Sequence, residues 1–166
     1  MAVGSVSINQ PEDYYGDKNN TAHAGGICGA NYGEISNCYA NAITSAYGYV
    51  NVGAYKRGYA GLICAENYST GTITNWVVLG SAKKGNQCLG DIAGYSSGTI
   101  TNCFKSSTVS LATNSGTVRT YATAQSMENL SKTTFWAVSL EWDSNVWSYE
   151  MLDFTIGLYP TLKQNN

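Results

Sequence analysis

The chain has 166 residues with 12% charged, 12% aromatic, 18 Gly, 13 Tyr, only 2 Pro and a formal net charge of −2. So little charge and Pro beside so many aromatics excludes a disordered chain and favours strands over exposed helices. The negative balance excludes a basic surface that tracks phosphates, because Lys56-Arg57 and Lys83-Lys84 are isolated pairs; no nucleic-acid partner is expected.

At the amino terminus, Met1 to Gln10 has neither the basic start nor the apolar core of a secretory signal. No apolar run reaches the roughly 18 residues of a membrane-spanning helix, so membrane insertion is not expected. Tyr14 and Tyr15, beside Glu12, Asp13 and Asp17, make a first candidate ligand-binding patch.

From residue 24 the chain repeats itself. Gly25-Gly26-Ile27-Cys28-Gly29 leads to Gly33-Glu34-Ile35-Ser36-Asn37-Cys38-Tyr39. Gly61-Leu62-Ile63-Cys64-Ala65 then leads to Gly71-Thr72-Ile73-Thr74-Asn75-Trp76-Val77, and Gly90-Asp91-Ile92-Ala93-Gly94 to Gly98-Thr99-Ile100-Thr101-Asn102-Cys103-Phe104. Two blocks in fixed order, three times over, define repeats at 24–43, 59–82 and 89–109.

Each copy reads as two short strands joined by a glycine-containing corner. Alternation in Thr-Ile-Thr puts Ile on one face and both Thr on the other. One such unit cannot bury its apolar face alone, but stacked copies share a core. Stacking predicts an inward ladder of Ile35, Ile73 and Ile100, joined by Ile27, Ile63 and Ile92. Gly33, Gly71 and Gly98 fall where a tight corner favours positive φ. Asn37, Asn75 and Asn102 fall where the chain turns next, and their amides are placed to bond from copy to copy.

Between the first two repeats, Thr44 to Gly58 carries Tyr47, Tyr49 and Tyr55, a second candidate ligand-binding patch. After residue 120, Thr123 reads as a helix N-cap before Gln125, Met127 and Leu130. Phe135, Trp136, Trp142, Trp147, Phe154 and Tyr159-Pro160 follow, and this cluster reads as a cover for a terminal repeat rather than a sugar platform.

The five cysteines are odd in number and none shows C-x-x-C spacing. Cys28 matches Cys64 with Ala93 in the third copy, and Cys38 matches Cys103 with Trp76 between. Places that accept Cys, Ala or Trp are packing positions, so buried free thiols are expected, with a Cys28–Cys64 disulfide as the alternative. Catalysis would need His23, the single histidine, or a pair drawn from Glu34, Glu66, Asp91, Glu128, Glu141, Asp143, Glu150 and Asp153. The repeats concentrate no acid at any one position. No catalytic residue, metal site or cofactor is expected.

Gly26-Ile27-Cys28-Gly29 followed by Ile35-Ser36-Asn37-Cys38-Tyr39-Ala40 resembles the GLUG-repeat family of bacterial surface proteins, with the other two copies departing at Ala65, Trp76-Val77 and Asp91. Tyr159-Pro160-Thr161-Leu162 and the Trp-rich tail resemble the close of such repeats, and Val3-Gly4-Ser5-Val6-Ser7 the stretch after Asn-Cys-Tyr. The resemblance implies an all-β fold: a β-helix or β-solenoid over residues 1–120 of about three repeats, with an aromatic-rich capping segment and short helix at 121–166. It further implies a non-catalytic scaffold or adhesin module, extracellular or on the cell surface, linked to further domains of a parent protein. Glycans or surface proteins are its expected partners. The alternatives are an accessory domain of a secreted peptidase or polysaccharide-active enzyme, and an ice-binding surface built on the outward threonines.

Overall fold

A computed structural model describes residues 2–9, 22–47, 58–83, 88–112, 116–149, 152–154 and 158–163. The first repeat lays down β2 (Ala22–Gly25), β3 (Cys28–Asn31) and β4 (Glu34–Tyr47) after an initial strand β1 (Ala2–Asn9). The second gives β5 (Gly58–Gly61), β6 (Cys64–Asn67), β7 (Thr72–Val78) and β8 (Ser81–Lys83). The third gives β9 (Cys88–Gly90), β10 (Ala93–Ser96), β11 (Thr99–Ser106) and β12 (Leu111–Ala112). A partial fourth layer follows, with β13 (Thr117–Arg119) on β9 and β14 (Thr123–Gln125) on β11.

Every pairing between repeats is parallel, so the all-β repeat architecture holds, with three open parallel sheets. Equivalent residues lie side by side: Cys28 with Cys64, Ile35 with Ile73, and Ile73 with Ile100. β1 pairs with the second half of β4, Ala2 beside Ala40 through Asn9 beside Tyr47.

Glycine at the second corner serves space, not conformation. Gly33, Gly71 and Gly98 do not adopt positive φ; the left-handed residues are Asn37, Asn75 and Asn102, at φ 54°, 58° and 49°. A Cβ on Gly71 would overlap the Asn67 side chain and lie 2.6 Å from the Asn31 carbonyl oxygen, and one on Gly98 would overlap the Tyr68 and Gly71 carbonyls. The expectation of positive φ at these glycines is therefore corrected: close approach of the preceding repeat excludes a side chain at Gly71 and Gly98, whereas a Cβ on Gly33 would meet nothing within 4 Å.

The left-handed asparagine also resets the strand's alternation. Ile35 faces the interior and Ser36 away from it; with Asn37 inserted in the left-handed region, Cys38 and Ala40 rejoin the interior. Tyr39 then faces the opposite side, where Val77 and Phe104 follow it in register. The residues just beyond each Asn therefore pack alternately into two cores.

The inner core holds Ala24, Ala60, Leu62, Ile63, Ile73, Leu89 and Ile92, all fully buried, with Trp76 and with Ile35 and Ile100 packed at its edge. Ile27 departs from the expected ladder, being 44% exposed. Among the described residues β2 and β3 end their sheets, so there Ile27 is backed by Ile63 alone, whereas Ile63 also has Ile92 beyond it.

The second core is built by the aromatic tail. Thr123 is not a helix cap: Thr123–Gln125 extend the sheet beside Phe104–Ser106, so their backbone is already committed to a parallel ladder. The helix α1 (Met127–Leu130) is capped by Ser126, whose hydroxyl accepts from the Asn129 amide at 3.1 Å. A π-helical turn at Phe135–Ser139 and the antiparallel pair β15 (Trp147–Ser148) and β16 (Thr161–Leu162) complete the segment. Phe135, Trp136, Trp142, Trp147 and Phe154 are buried against Tyr39 and Val77. The segment thus lies along the flank of all three repeats rather than over a terminal one, because the asparagine bend turns an aromatic or apolar residue of each repeat toward it.

Candidate functional site

Parallel register brings together side chains that the sequence scatters. His23 on β2 sits beside Tyr59 on β5, and Glu66 on β6 beside Tyr95 on β10. The His23 and Tyr59 rings lie 5.4 Å apart, Tyr59 and Tyr95 6.2 Å apart, and the Arg119 guanidinium rests 5.2 Å over the Tyr95 ring. One ring or guanidinium from each successive layer thus forms a continuous column along the stacking direction. The cation over an aromatic face is attractive in itself.

Glu66 joins this column to a second aromatic pair. Its carboxylate lies 3.4 Å from His23 Nε2. Tyr68 has its phenol raised well above the ordinary range, first by its hydrogen bond with Tyr32 and then by that with Glu66. Tyr32 and Tyr68 stack face to face, 4.2 Å apart and 10° from parallel, with Tyr32 62% exposed. Sequence reasoning missed Tyr32, Tyr59, Tyr68 and Tyr95. The available signal was position: Tyr32 and Tyr68 each follow the asparagine that precedes the second corner.

Three buried polar atoms of this patch lack an aligned hydrogen bond among the described residues: His23 Nε2, Arg119 Nε and Tyr121 Oη. Buried polar groups are ordinarily satisfied, so their gathering in one region sets it apart from the rest of the fold.

Two asparagine ladders run across the repeats. On the outer face Asn75 donates to Asn37 at 3.1 Å and Asn102 to Asn75 at 2.7 Å. A second, buried ladder was not foreseen: Asn31 donates to Asn67 at 2.8 Å, and Asn67 to the Ser96 hydroxyl at 3.0 Å. Both are cross-repeat hydrogen-bond rows that fix register.

Tyr14, Tyr15, Tyr49 and Tyr55 lie outside the described residues, and Tyr47 ends β4 with its backbone beside Asn9. Among the groups weighed for catalysis, His23 meets Glu66 and Tyr59. Asp91 is fully buried, accepting from Lys105 Nζ at 2.9 Å and from the amides of Tyr121 and Ala122 at 2.8 and 3.4 Å. Glu128 pairs with Lys132 at 3.3 Å on the surface, and Asp143 accepts from the Asn145 amide. Among the described residues no three His, Cys, Asp or Glu side chains converge as a metal-ligand set.

The described thiols are free. Burial pushes Cys38 up and Cys103 up to about 11, so both behave as apolar packing groups. Trp76 takes their place in the middle repeat, fully enclosed, its Nε1 donating to the Ile35 carbonyl at 3.1 Å.

Residues 20–45, the first repeat, match the family model of the GLUG motif. No curated protein and no solved structure matches the chain. The second and third repeats place their blocks in register on the matched segment, strand for strand, so the chain carries one matched GLUG motif with two similar repeats stacked on it.

Proposed function

We propose that this chain is a β-solenoid scaffold module of an extracellular or cell-surface protein, without catalysis of its own, that holds a glycan or protein ligand on tyrosines. The column of His23, Tyr59, Tyr95 and Arg119, continued by Glu66 to the Tyr32–Tyr68 stack, carries this reading. Tyrosine offers a broad apolar face with a polar tip at little entropic cost, which suits contact with sugars and with protein surfaces. A linear ligand lying along the stack meets one side chain per layer. The flanking aromatic segment serves as the brace of the scaffold, and Tyr14, Tyr15, Tyr47, Tyr49 and Tyr55 supply further contacts.

The test is a glycan array and a surface-protein capture assay with the whole chain and two variant sets. Tyr32→Ala with Tyr68→Ala removes an exposed stack, and Tyr47→Ala with Tyr55→Ala removes two tyrosines of the segment between the first two repeats. Loss of at least about tenfold in capture by the first set, with unchanged melting, is expected. Full retention of binding by both sets contradicts tyrosine-mediated contact.

A second reading, ice binding, draws on one observation: Thr101 donates to Thr74 at 3.2 Å in an outward row beside the asparagine ladder. Glu34 interrupts the neighbouring row of Thr72 and Thr99. A thermal-hysteresis measurement without activity dismisses it.

A further inference from the structure

Cys28 and Cys64 are direct partners in adjacent parallel strands, β3 and β6. Neighbouring strands lie about 4.8 Å apart, inside the Cα separation of about 4.4–6.8 Å that a disulfide spans. Both side chains are on the same face of the sheet and border the same core. Cys64 is fully enclosed, while Cys28 is half-buried. The nearness of the two thiols lowers the Cys28 pKa and raises that of Cys64.

The other cysteines have no such neighbour. Cys38 and Cys103 are separated by Trp76 on the intervening strand. Cys88 lies beside Tyr59 and Thr117.

We propose that Cys28 and Cys64 are a reversible disulfide site that fastens the first repeat covalently to the second. The reaction is thiol–disulfide exchange with a small-molecule disulfide as oxidant. The Cys28 thiolate attacks one sulfur of glutathione disulfide, forming a mixed disulfide and releasing one glutathione thiolate. The Cys64 thiol loses its proton and attacks the Cys28 sulfur, forming the intramolecular S–S bond and releasing the second glutathione. Two protein thiols are oxidised and one glutathione disulfide is reduced to two thiols, so atoms and electrons balance. The bond ties down the repeat whose Ile27 is least covered, at the end of its sheets among the described residues. This inference stands apart from the proposed ligand role.

The whole folded chain, equilibrated without denaturant in glutathione redox buffers, provides the test. Peptide mass spectrometry under non-reducing conditions should recover a Cys28–Cys64 linkage. Titratable thiols should fall from five to three. Melting should rise by roughly 5–15 °C and return on adding dithiothreitol. Cys64→Ala, which copies the Ala93 of the third repeat, should abolish the rise and leave Cys28 as the glutathione adduct. The proposal is overturned if five thiols persist in glutathione disulfide, if the unmutated chain stops at the mixed disulfide, or if the linkage joins other cysteines.

Discussion

A methyl group placed on Gly71 would overlap the Asn67 amide, whereas one placed on Gly33 meets nothing within 4 Å. Two glycines in matching positions of two repeats therefore carry different constraints. Gly71→Ala should destabilise the protein by about 3 kcal/mol or more, since the obstacle includes backbone that cannot rotate away. Gly33→Ala should fall within about 0.5 kcal/mol of the original. Urea denaturation of the two variants checks this; equal costs would contradict the stacking account. The repeat spacing made these glycines legible as special, but not why. The corner suggested positive φ because glycine is the residue most at home there. The left-handed turn instead fell to asparagine, which tolerates it and gains an amide bond to the next repeat. Steric exclusion by a neighbouring layer leaves no mark within one repeat, so sequence alone favoured the conformational explanation.

At the scale of elements, register was more legible than direction. The alignment of Ile35, Ile73 and Ile100 follows from the motif itself, and the strands pair at those positions. What the motif hid was the inversion at the asparagine, which turns a residue of each strand toward a second core. An alternating pattern read straight through Asn37 would send Tyr39 inward. Asp91 was similarly opaque. In the sequence it stands only as a departure from the glycine-hydrophobic block, yet its carboxylate joins Lys105 on β11 to the amides of Tyr121 and Ala122 in the partial fourth layer. Removing one member of a buried pair leaves the other charge uncompensated, at a cost of about 3–5 kcal/mol. Lys105→Met should therefore lower stability by roughly 3 kcal/mol in chemical denaturation, with Lys105→Arg closer to the original. A neutral Lys105→Met would mean that the two amides alone satisfy Asp91. The helix start moved from Thr123 to Ser126 for a related reason: the edge of β11 offered Thr123–Gln125 a parallel partner.

For the molecule as a whole, repetition announced the parallel all-β fold, while the packing of the tail had to be seen. The tail's aromatic content signalled burial, and Trp136, Trp142 and Trp147 are indeed enclosed. Their placement along the flank depends on Tyr39, Val77 and Phe104, one from each repeat, facing the same way. The tyrosine patch was the least legible feature, because His23, Glu66, Tyr95 and Arg119 belong to four different layers and meet only once those layers stack. Everything at this scale rests on the side-by-side order of the three repeats. Isoleucine methyl labelling with nuclear Overhauser spectroscopy measures that order directly. Cross-peaks from Ile73 to both Ile35 and Ile100 are expected, with a weak or missing Ile35–Ile100 peak because the Ile73 strand lies between them. An Ile73 in contact with neither, or a strong direct Ile35–Ile100 contact, would contradict the stacked arrangement.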